Sequence, residues 1–295
     1  YAMQSQGESV LMAEFPGMDS YSALLKTALA KESSEVLDDV KTAGIRGRGG
    51  AGFPMGVKWE FARNAESNLK FIICNADEGD PGAYSDRYLL EERPHAVLFG
   101  MMIGAYCMKA QWGVLYIRAE YPEAFPIVEA AIQDFRDAGL LGENVNGAGF
   151  DFDFKIVPGQ GSYICGEETA LISSIEGQRP EVRVRPPFPA QKGLFNKPTI
   201  VNNVETLATV PYVIQNGGAA FAKLGTEKSN GTKLVSLDSY FKRPGIYEVE
   251  MGTPLATVIN DLGGGFTKPV KALHIGGPLG GIVPVSKIDE LSIDF

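Results

Sequence analysis

Residues 44–59 read Gly-Ile-Arg-Gly-Arg-Gly-Gly-Ala-Gly-Phe-Pro-Met-Gly-Val-Lys-Trp, and no other segment combines so many glycines with basic side chains. The glycines between positions 44 and 52 let backbone N–H groups approach a ligand without a Cβ in the way. Arg46, Arg48 and Lys58 add the positive charge that a phosphate requires for tight binding. The segment 44–54, here called the glycine loop, therefore predicts a phosphate-binding site.

The glycine loop also fits the G-x-G-x-x-G pattern at residues 47–52. That pattern indicates a dinucleotide fold only where a strand precedes it and a helix follows. Residues 34–43 instead predict a short helix, with Ser34 as its N-cap and Gly44 just past its end. An ordinary Rossmann fingerprint is therefore disfavoured, and a merely flexible glycine loop is the alternative at this point.

The composition of the 295 residues disfavours several function classes. A hydrophobic content of 44% is ample for one large domain, or for a large domain and a small one. The net charge of −9 predicts no nucleic-acid partner, and it makes the basic residues of the glycine loop a local site for a small anion. No apolar run reaches the ~18 residues of a membrane span, so no direct membrane span is predicted.

The cysteines Cys74, Cys107 and Cys165 are far apart and form no C-x-x-C pair. Their spacing indicates neither a disulfide framework nor an iron–sulfur or zinc site, so no metal site is predicted in this sequence. This cysteine usage is typical of a reducing compartment. We therefore expect a cytoplasmic location, including the cytoplasmic face of a membrane complex.

Short apolar runs alternate with helical patterns in the first two thirds of the chain. Residues 71–74, 114–117 and 150–157 predict buried strands, and residues 86–110 and 122–138 predict helices, the first one kinked or divided at Pro94. This alternation predicts an α/β fold with a mostly parallel sheet. Ligands bind beyond the carboxyl ends of such strands. Two polar segments fall at that edge, the first edge loop (residues 75–82) and the second edge loop (residues 159–168).

The later part of the chain changes character twice. Residues 178–199 are rich in proline and basic side chains and predict a long irregular, functional loop, after which residues 201–215 predict a helix. From residue 231, short strands around one helix predict a small β-rich unit. We therefore expect two domains, residues 1–230 and residues 231–295.

Polar residues in these segments suit a nucleotide-like ligand. The glycine loop offers backbone N–H groups to a phosphate, and Asn75, Asp77 and Asn203 offer hydrogen bonds to ribityl or ring atoms. Ribose hydroxyls need acceptors, for which the candidates are Glu78, Asp80 and Glu168. Glu168 belongs to the pair Glu167-Glu168 at a predicted helix N-terminus, where acidic residues are also favoured without any ligand.

Five motifs, in order, closely resemble the NADH-binding FMN flavoprotein subunit of complex I. The same module occurs in NAD(P)-linked soluble hydrogenases and formate dehydrogenases. The motifs are the glycine loop with Lys58-Trp59, Cys-Asn-Ala-Asp-Glu at 74–78, Tyr-Ile-Cys-Gly-Glu-Glu-Thr-Ala-Leu at 163–171, Pro-Pro-Phe-Pro-Ala at 186–190, and Val-Asn-Asn-Val-Glu-Thr-Leu at 201–207. Residues 242–249 further resemble the ubiquitin-like β-grasp module, SLBB, that follows in that family. The resemblance implies a Rossmann-like flavin domain with a non-standard glycine loop.

The resemblance also implies the ligands and their contacts. FMN would be held without a covalent link, and a hydride would pass between nicotinamide C4 of NAD(P)H and flavin N5. Tyr163 and Glu168 would serve this reaction. The nucleotide would be flanked by Phe53, Phe61 and Phe188, with Asp80, Glu168 and Arg185 near its ribose, amide or phosphates, and Glu78 would bind cofactor. The flavin would be lined by Gly47, Arg48, Gly49, Gly50, Lys58, Asn75, Asp77, Tyr163, Gly166, Glu167, Asn202 and Asn203.

The sequence departs from complex I members in three respects. Asp80 stands where many have Glu, and Arg185 stands where Lys is usual, so a 2′-phosphate and hence NADPH is a further option. The family continues into a helical domain with a 4Fe-4S cluster, whose C-x-x-C-x-x-C motif this sequence lacks. We therefore expect the sequence to be a fragment of a longer protein.

The resemblance implies the diaphorase module of a multi-subunit complex. Its partners would be iron–sulfur subunits, among them a thioredoxin-like 2Fe-2S subunit. Two other function classes are kept as alternatives. A non-redox nucleotide-binding transferase would require Mg²⁺ and would not be yellow, and a docking subunit would bind its partner without NADH bleaching any flavin.

Overall fold

The computed structural model describes residues 2–295, in which strands and helices alternate over most of the chain. The strands are β1 (Ala2–Ser5), β2 (Phe71–Ala76), β3 (Trp112–Ile117), β4 (Asp153–Pro158), β5 (Thr199–Asn203), β6 (Thr232–Leu237), β7 (Gly245–Glu250), β8 (Ala272–Ile275) and β9 (Gly281–Pro284). The α-helices are α1 (Met18–Leu29), α2 (Ser33–Ala43), α3 (Met55–Asn64), α4 (Ser85–Glu92), α5 (Pro94–Met108), α6 (Ala124–Asp137), α7 (Glu168–Ile175), α8 (Pro189–Lys192), α9 (Val204–Ala208), α10 (Val210–Asn216) and α11 (Gly218–Phe221). Short 3₁₀ helices cover Val145–Gly147, Tyr163–Gly166, Leu194–Asn196 and Val285–Glu290, and a π-helical segment covers Thr257–Leu262.

The central sheet has the strand order β4-β3-β2-β5, and all of its pairings are parallel. The predicted α/β class with a parallel sheet is confirmed. In β2, Ile72 and Cys74 pack into the largest apolar core, whereas Phe71 and Ile73 pack into a second core on the other face. Because both faces are covered, the two central strands β2 and β3 are largely apolar runs, whereas the edge strand β4 begins with Asp153 and has an exposed Lys155.

Helix α5 lies at the centre of the main core, and nearly all of its side chains are buried. It packs against β2, β3, α3 and α9. A Cβ at Gly100 would lie 2.1 Å from the carbonyl oxygen of Leu207, so glycine allows α9 to approach closely. This contact fixes the end of β5, because α9 follows it directly. Neither α5 nor any other helix within residues 2–295 has the length and apolar character needed to cross a membrane.

The predicted helices are present with shifted ends. α2 begins at Ser33, so Ser34, the predicted N-cap, lies in the first turn instead. Gly44 ends α2 in the left-handed conformation, with φ 63°, as predicted. The predicted helical segment 86–110 is two helices, and the second begins at Pro94.

The prediction of a helix over residues 201–215 is wrong at its start. Thr199–Asn203 is strand β5, which pairs with β2, and the helix begins only at Val204. The β-branched residues before Asn203 favour an extended chain, and pairing with the sheet stabilises it. The asparagine pair is therefore at the carboxyl end of a strand, in line with the first edge loop.

The segment after residue 230 forms the predicted β-rich unit with one addition. β6 and β7 pair antiparallel, and the N-terminal strand β1 joins them by pairing parallel with β7. Strands β8 and β9 form a separate hairpin. Glu248 of β7 is fully buried and accepts hydrogen bonds from the backbone N–H groups of residues 10–12, which fastens the N-terminal segment here. The domain boundary near residue 230 and the SLBB assignment stay predictions.

Candidate functional site

The segments predicted to face a ligand meet at one edge of the central sheet. Asn75, in β2, lies beside Asn203 of β5 in the strand register. The first edge loop leaves β2 at this edge, and the second edge loop leaves β4. The predicted meeting of the two loops is therefore confirmed, because the carboxyl ends of parallel strands share an edge.

The glycine loop is a closed turn with an exposed tip. Arg46 and Pro54 form an isolated β-bridge, and the Gly47 N–H donates to the Phe53 carbonyl oxygen at 2.9 Å. Gly50, at the tip, has φ 113° and open space where a Cβ would stand. The tip thus presents backbone to solvent in a conformation that residues with a Cβ rarely adopt.

The arginines of the glycine loop brace it from behind. Arg48 is buried, and its guanidinium donates to the carbonyl oxygens of Asn230 at 2.6 Å, Arg46 at 3.1 Å and Thr232 at 3.2 Å. The guanidinium carbon of Arg46 lies 4.1 Å from the ring centroid of Phe295. The sequence suggests that these two guanidinium groups bind a phosphate. In the structure they contact backbone carbonyl oxygens and the ring of Phe295 instead. A contact between Arg48 and a flavin stays a prediction.

Asp77 holds a buried oxygen atom without a partner. Its side chain is buried, and within residues 2–295 no group donates a hydrogen bond to Oδ2. Burial raises the pKa of Asp77 to about 6, against a smaller opposing effect of the Arg118 guanidinium. A buried acceptor without a donor destabilises the protein unless a bound molecule supplies the donor. Asp77 therefore marks a place where a ligand with O–H or N–H groups fits.

Asn75 joins the two edge loops next to Asp77. Its Nδ2 donates to the Gly166 carbonyl oxygen at 2.8 Å, and its Oδ1 accepts from the Asp77 N–H at 3.2 Å. Gly166 also packs closely, since a Cβ there would lie 3.2 Å from the Asp77 carbonyl oxygen. Three predicted flavin residues from two loops thus form one braced corner of the site.

A chain of alternating charges lies beside this corner. Glu168 is held between two cations, with Oε2 at 3.0 Å from Lys58 Nζ and Oε1 at 3.0 Å from Arg185 Nη1. Arg185 also contacts Glu167 at 3.3 Å, and Glu167 is the N-cap of α7 and accepts from two N–H groups of its first turn. An anionic group that enters here must compete with these carboxylates for Lys58 and Arg185.

The acidic residues of the first edge loop have different roles. Glu78 accepts from two backbone N–H groups at the start of α4 and from the hydroxyl of Tyr121 at 2.9 Å. It therefore anchors α4, although the sequence suggests a ribose contact for it, which stays a prediction. Asp80 Oδ1 accepts from the hydroxyl of Tyr163 at 3.0 Å, and the ring of Tyr163 is exposed. Tyr163 is therefore open to a ligand, whereas Glu78 and Asp80 are both partly buried.

The asparagines at the end of β5 are held by buried partners that sequence reasoning missed. Asn202 is buried, and its Oδ1 accepts from the indole N–H of Trp59 at 2.8 Å. Asn203 Nδ2 donates to Asp86 Oδ2 at 2.8 Å. Burial is the main reason that the pKa of Asp86 lies well above its usual range. The nearby negative charges of Glu78 and Glu205 raise it further. Asp86 and Asn203 are 117 residues apart, so no local pattern indicates their contact.

The rings predicted to flank the nucleotide are all exposed. The exposed fraction is 47% for Phe53, 55% for Phe61 and 54% for Phe188. Phe53 belongs to the glycine loop, Phe61 lies on α3, and Phe188 directly precedes α8, which packs against α3. Exposed rings next to polar groups are suited to stacking on a planar ligand.

The family of the chain follows from a match that covers this whole edge. A family model described as the Nuo51 FMN-binding domain matches residues 40–212, which is more than half of the chain. The chain belongs to this family. The matched range contains the glycine loop, both edge loops and β5, so the Nuo51 FMN-binding domain coincides with the site described above.

Three curated relatives of the Nuo51 family are similar over nearly the whole chain. NADP-reducing hydrogenase subunit HndC of Solidesulfovibrio fructosivorans is 49% identical, and the match covers 94% of this chain and 58% of the relative. NAD-reducing hydrogenase HoxS subunit alpha of Cupriavidus necator is 44% identical, with 95% and 46% covered. One subunit of the NADH-quinone oxidoreductase of Escherichia coli is 42% identical, with 92% and 61% covered. The chain therefore spans about half to three fifths of the length of these relatives.

A solved structure shares the fold. It is an NAD⁺-reducing NiFe-hydrogenase in the H₂-reduced state, one chain of which superposes with a TM-score of 0.84 at 34% identity. The match covers 96% of this chain and 49% of that chain. The similarity thus extends beyond the Nuo51 domain into the β-rich unit.

The residues at the sheet edge fit the flavin that the Nuo51 FMN-binding family implies. FMN carries ribityl hydroxyls and a ring N–H, which are the donors that the unpaired Oδ2 of Asp77 lacks. Its phosphate needs donors, and the exposed backbone around Gly50 offers them. Both ends of the cofactor therefore find the complementary type of group.

Proposed function

We propose that the chain is the flavin- and nucleotide-binding module of a multi-subunit electron-transfer complex and transfers a hydride between NAD(P)H and bound FMN. The unpaired, buried Oδ2 of Asp77 at the sheet edge carries the proposal. Membership of an FMN-binding family supports the flavin. The names of the relatives, which are NADP- and NAD-reducing hydrogenases and an NADH-quinone oxidoreductase, support the nucleotide.

In the proposed flavin site, Asp77 accepts hydrogen bonds from the cofactor, and the tip of the glycine loop donates backbone N–H groups to the phosphate. When bound, FMN supplies the redox chemistry, because its N5 accepts the hydride. The protein contributes orientation and charge. The other residues proposed to line the flavin are Gly47, Arg48, Gly49, Lys58, Asn75, Tyr163, Gly166, Glu167, Asn202 and Asn203.

In the proposed nucleotide site, the exposed rings of Phe53, Phe61 and Phe188 stack on or flank NADH. Asp80 and Glu168 accept hydrogen bonds from ribose or amide groups; both side chains are only partly buried, and they belong to the first and the second edge loop. Tyr163, which donates to Asp80, holds that carboxylate in one orientation.

NADH is the first candidate nucleotide and NADPH the second. Arg185 already contacts two carboxylates, so a nucleotide without a 2′-phosphate binds without breaking these ion pairs. A guanidinium is nevertheless well suited to a phosphate, and Arg185 is partly exposed. The 49% identity to a subunit of an NADP-reducing hydrogenase supports this second candidate.

The proposed partners are iron–sulfur subunits, among them a thioredoxin-like 2Fe-2S subunit, in a complex on the cytoplasmic side of the membrane or in the cytoplasm. The relatives are named as subunits of hydrogenases and of a quinone oxidoreductase, which supports an assembly of this kind. In such a complex a partner would hold the cluster that receives the electrons.

The test is the visible spectrum of the purified chain after incubation with FMN, before and after anaerobic addition of NADH or NADPH. We expect one flavin per chain, which NADH bleaches. Asp77→Asn should weaken FMN binding at least tenfold, because it removes a charged hydrogen-bond acceptor. Asp137→Asn, on the exposed face of α6, is the matched control and should bind FMN normally.

Three outcomes would contradict the proposal. Failure of the wild-type chain to bind FMN would remove the flavin assignment. A Mg²⁺-dependent group transfer without a yellow chromophore would favour the transferase. Normal binding of a partner protein, with flavin that neither nucleotide bleaches, would favour a docking role.

A further inference from the structure

The first edge loop is clamped between two other segments of the chain at Gly79 and Asp80. On one side, a Cβ at Gly79 would lie 2.9 Å from Tyr163 Cδ2, and Asp80 Oδ1 accepts from the Tyr163 hydroxyl. On the other side is the turn of the β8–β9 hairpin. A Cβ at Gly277 would lie 2.4 Å from Asp80 Cγ and 2.5 Å from Oδ2. Only a residue without a Cβ can occupy position 277 while Asp80 keeps this position.

The hairpin that carries Gly277 belongs to the β-rich unit and not to the flavin domain. β8 and β9 pair with each other and form a sheet of their own. Their turn reaches the first edge loop from a segment almost two hundred residues later in the chain. The hairpin thus brings a distant part of the sequence against one carboxylate at the edge of the site.

We propose that Gly277 is a positioning residue for nucleotide binding: its backbone forms one wall against the Asp80 carboxylate, opposite the Tyr163 hydroxyl, and holds that carboxylate ready for a ribose or amide donor. The inference rests on the proposed function, which assigns Asp80 to the nucleotide. An acceptor fixed on both sides loses little freedom when a ligand binds, so its hydrogen bond contributes more to affinity. The β-rich unit therefore takes part in the nucleotide site.

The steric contact is tested first, on the flavin-free chain, by urea unfolding. Gly277→Ala is compared with Gly276→Ala, the matched control. Gly276 has a similar φ, 83° against 73°, but a Cβ there would have the Gly280 Cα as its nearest neighbour, at 3.5 Å. Both variants share the strain of a positive φ. We expect the urea midpoint of Gly277→Ala to be lower than that of Gly276→Ala. In an Asp80→Ala background this difference should disappear, because the carboxylate is no longer present.

The consequence for the nucleotide is tested on the chain loaded with FMN. Calorimetric titration should show NAD⁺ binding about tenfold weaker in Gly277→Ala than in the wild type, with normal flavin content. Anaerobic reduction kinetics with NADH should show a raised KM and a kcat closer to that of the wild type. Gly276→Ala should match the wild type in both assays.

Equal weakening in both glycine variants would overturn the role of Gly277, because strain in the turn would then explain the effect. So would a stability difference that persists in the Asp80→Ala background. The proposed function fails in a different way, through a wild-type chain that binds neither FMN nor NAD⁺, and the nucleotide role of Gly277 would fall with it. If the wild type binds FMN and NAD⁺, and Gly277→Ala binds NAD⁺ as tightly as the wild type, only the positioning role of Gly277 is overturned.

Discussion

Asp77→Asn should stabilise the flavin-free protein at neutral pH although it damages the cofactor site. Burial raises the pKa of Asp77 to about 6, from an ordinary value of 3.8. Between these values the unfolded chain has already released the proton that the folded chain keeps, so the free energy of unfolding falls as pH rises. A difference of about two pKa units corresponds to about 3 kcal/mol, which is lost between pH 3 and pH 7. The amide carries no charge and avoids this loss.

The assay is urea unfolding of the flavin-free wild type and of Asp77→Asn at several values between pH 4 and pH 8. Other groups titrate in both proteins, so the difference between the two free energies isolates Asp77. We expect this difference to grow in favour of the variant by about 2–3 kcal/mol from pH 4 to pH 8. In saturating FMN the advantage of the variant at neutral pH should shrink by at least about 1.4 kcal/mol, the equivalent of a tenfold difference in affinity, because the wild type binds the cofactor more tightly.

A difference that stays constant between pH 4 and pH 8 would refute this reasoning, since Asp77 would then titrate alike in the folded and unfolded chains. Asp137→Asn, on the exposed face of α6, serves as the control for the same substitution away from the site. Stabilisation of Asp77→Asn by FMN as large as that of the wild type would separately refute the role of Oδ2 as the cofactor's acceptor.

Three further substitutions test the scaffold around the site by urea or thermal unfolding. Glu248→Gln should destabilise by about 2–4 kcal/mol, because an amide leaves at least one of the backbone N–H groups on this buried carboxylate unpaired; a loss no larger than that of exposed Glu227→Gln would contradict this. Gly100→Ala should destabilise by about 3 kcal/mol, because its Cβ would lie 2.1 Å from a carbonyl oxygen of α9. Helix propensity alone predicts the opposite sign, a gain of about 1 kcal/mol, so a more stable variant would show that α9 moves away freely. Arg48→Lys should lower stability by about 2 kcal/mol, since one ammonium cannot reach three separate carbonyl oxygens, and an effect equal to that of exposed Arg179→Lys would contradict it.

The positions of some site residues could be predicted from the sequence, but their long-range partners could not. Asn75 and Asp77 directly follow an apolar run, so their place at the carboxyl end of a buried strand could be predicted. The partner of Asn203 could not be predicted, because Asp86 is 117 residues away in a helix whose sequence contains no motif that indicates the contact. The same limit applies to Arg48, whose charge suggests a phosphate but whose partners are carbonyl oxygens up to 184 residues away.

The sequence by itself determined the alternation of strands and helices from β2 to β4, the two edge loops and the family. Apolar runs, glycines and prolines act over a few residues, so a local pattern contains them completely. Only the tertiary structure decided that residues 199–203 complete the central sheet, that the N-terminal strand joins β7, and that Asp77 Oδ2 has no partner within residues 2–295. Strand pairing, burial and the contact of Gly277 with Asp80 depend on residues that are distant in the chain and adjacent only after folding.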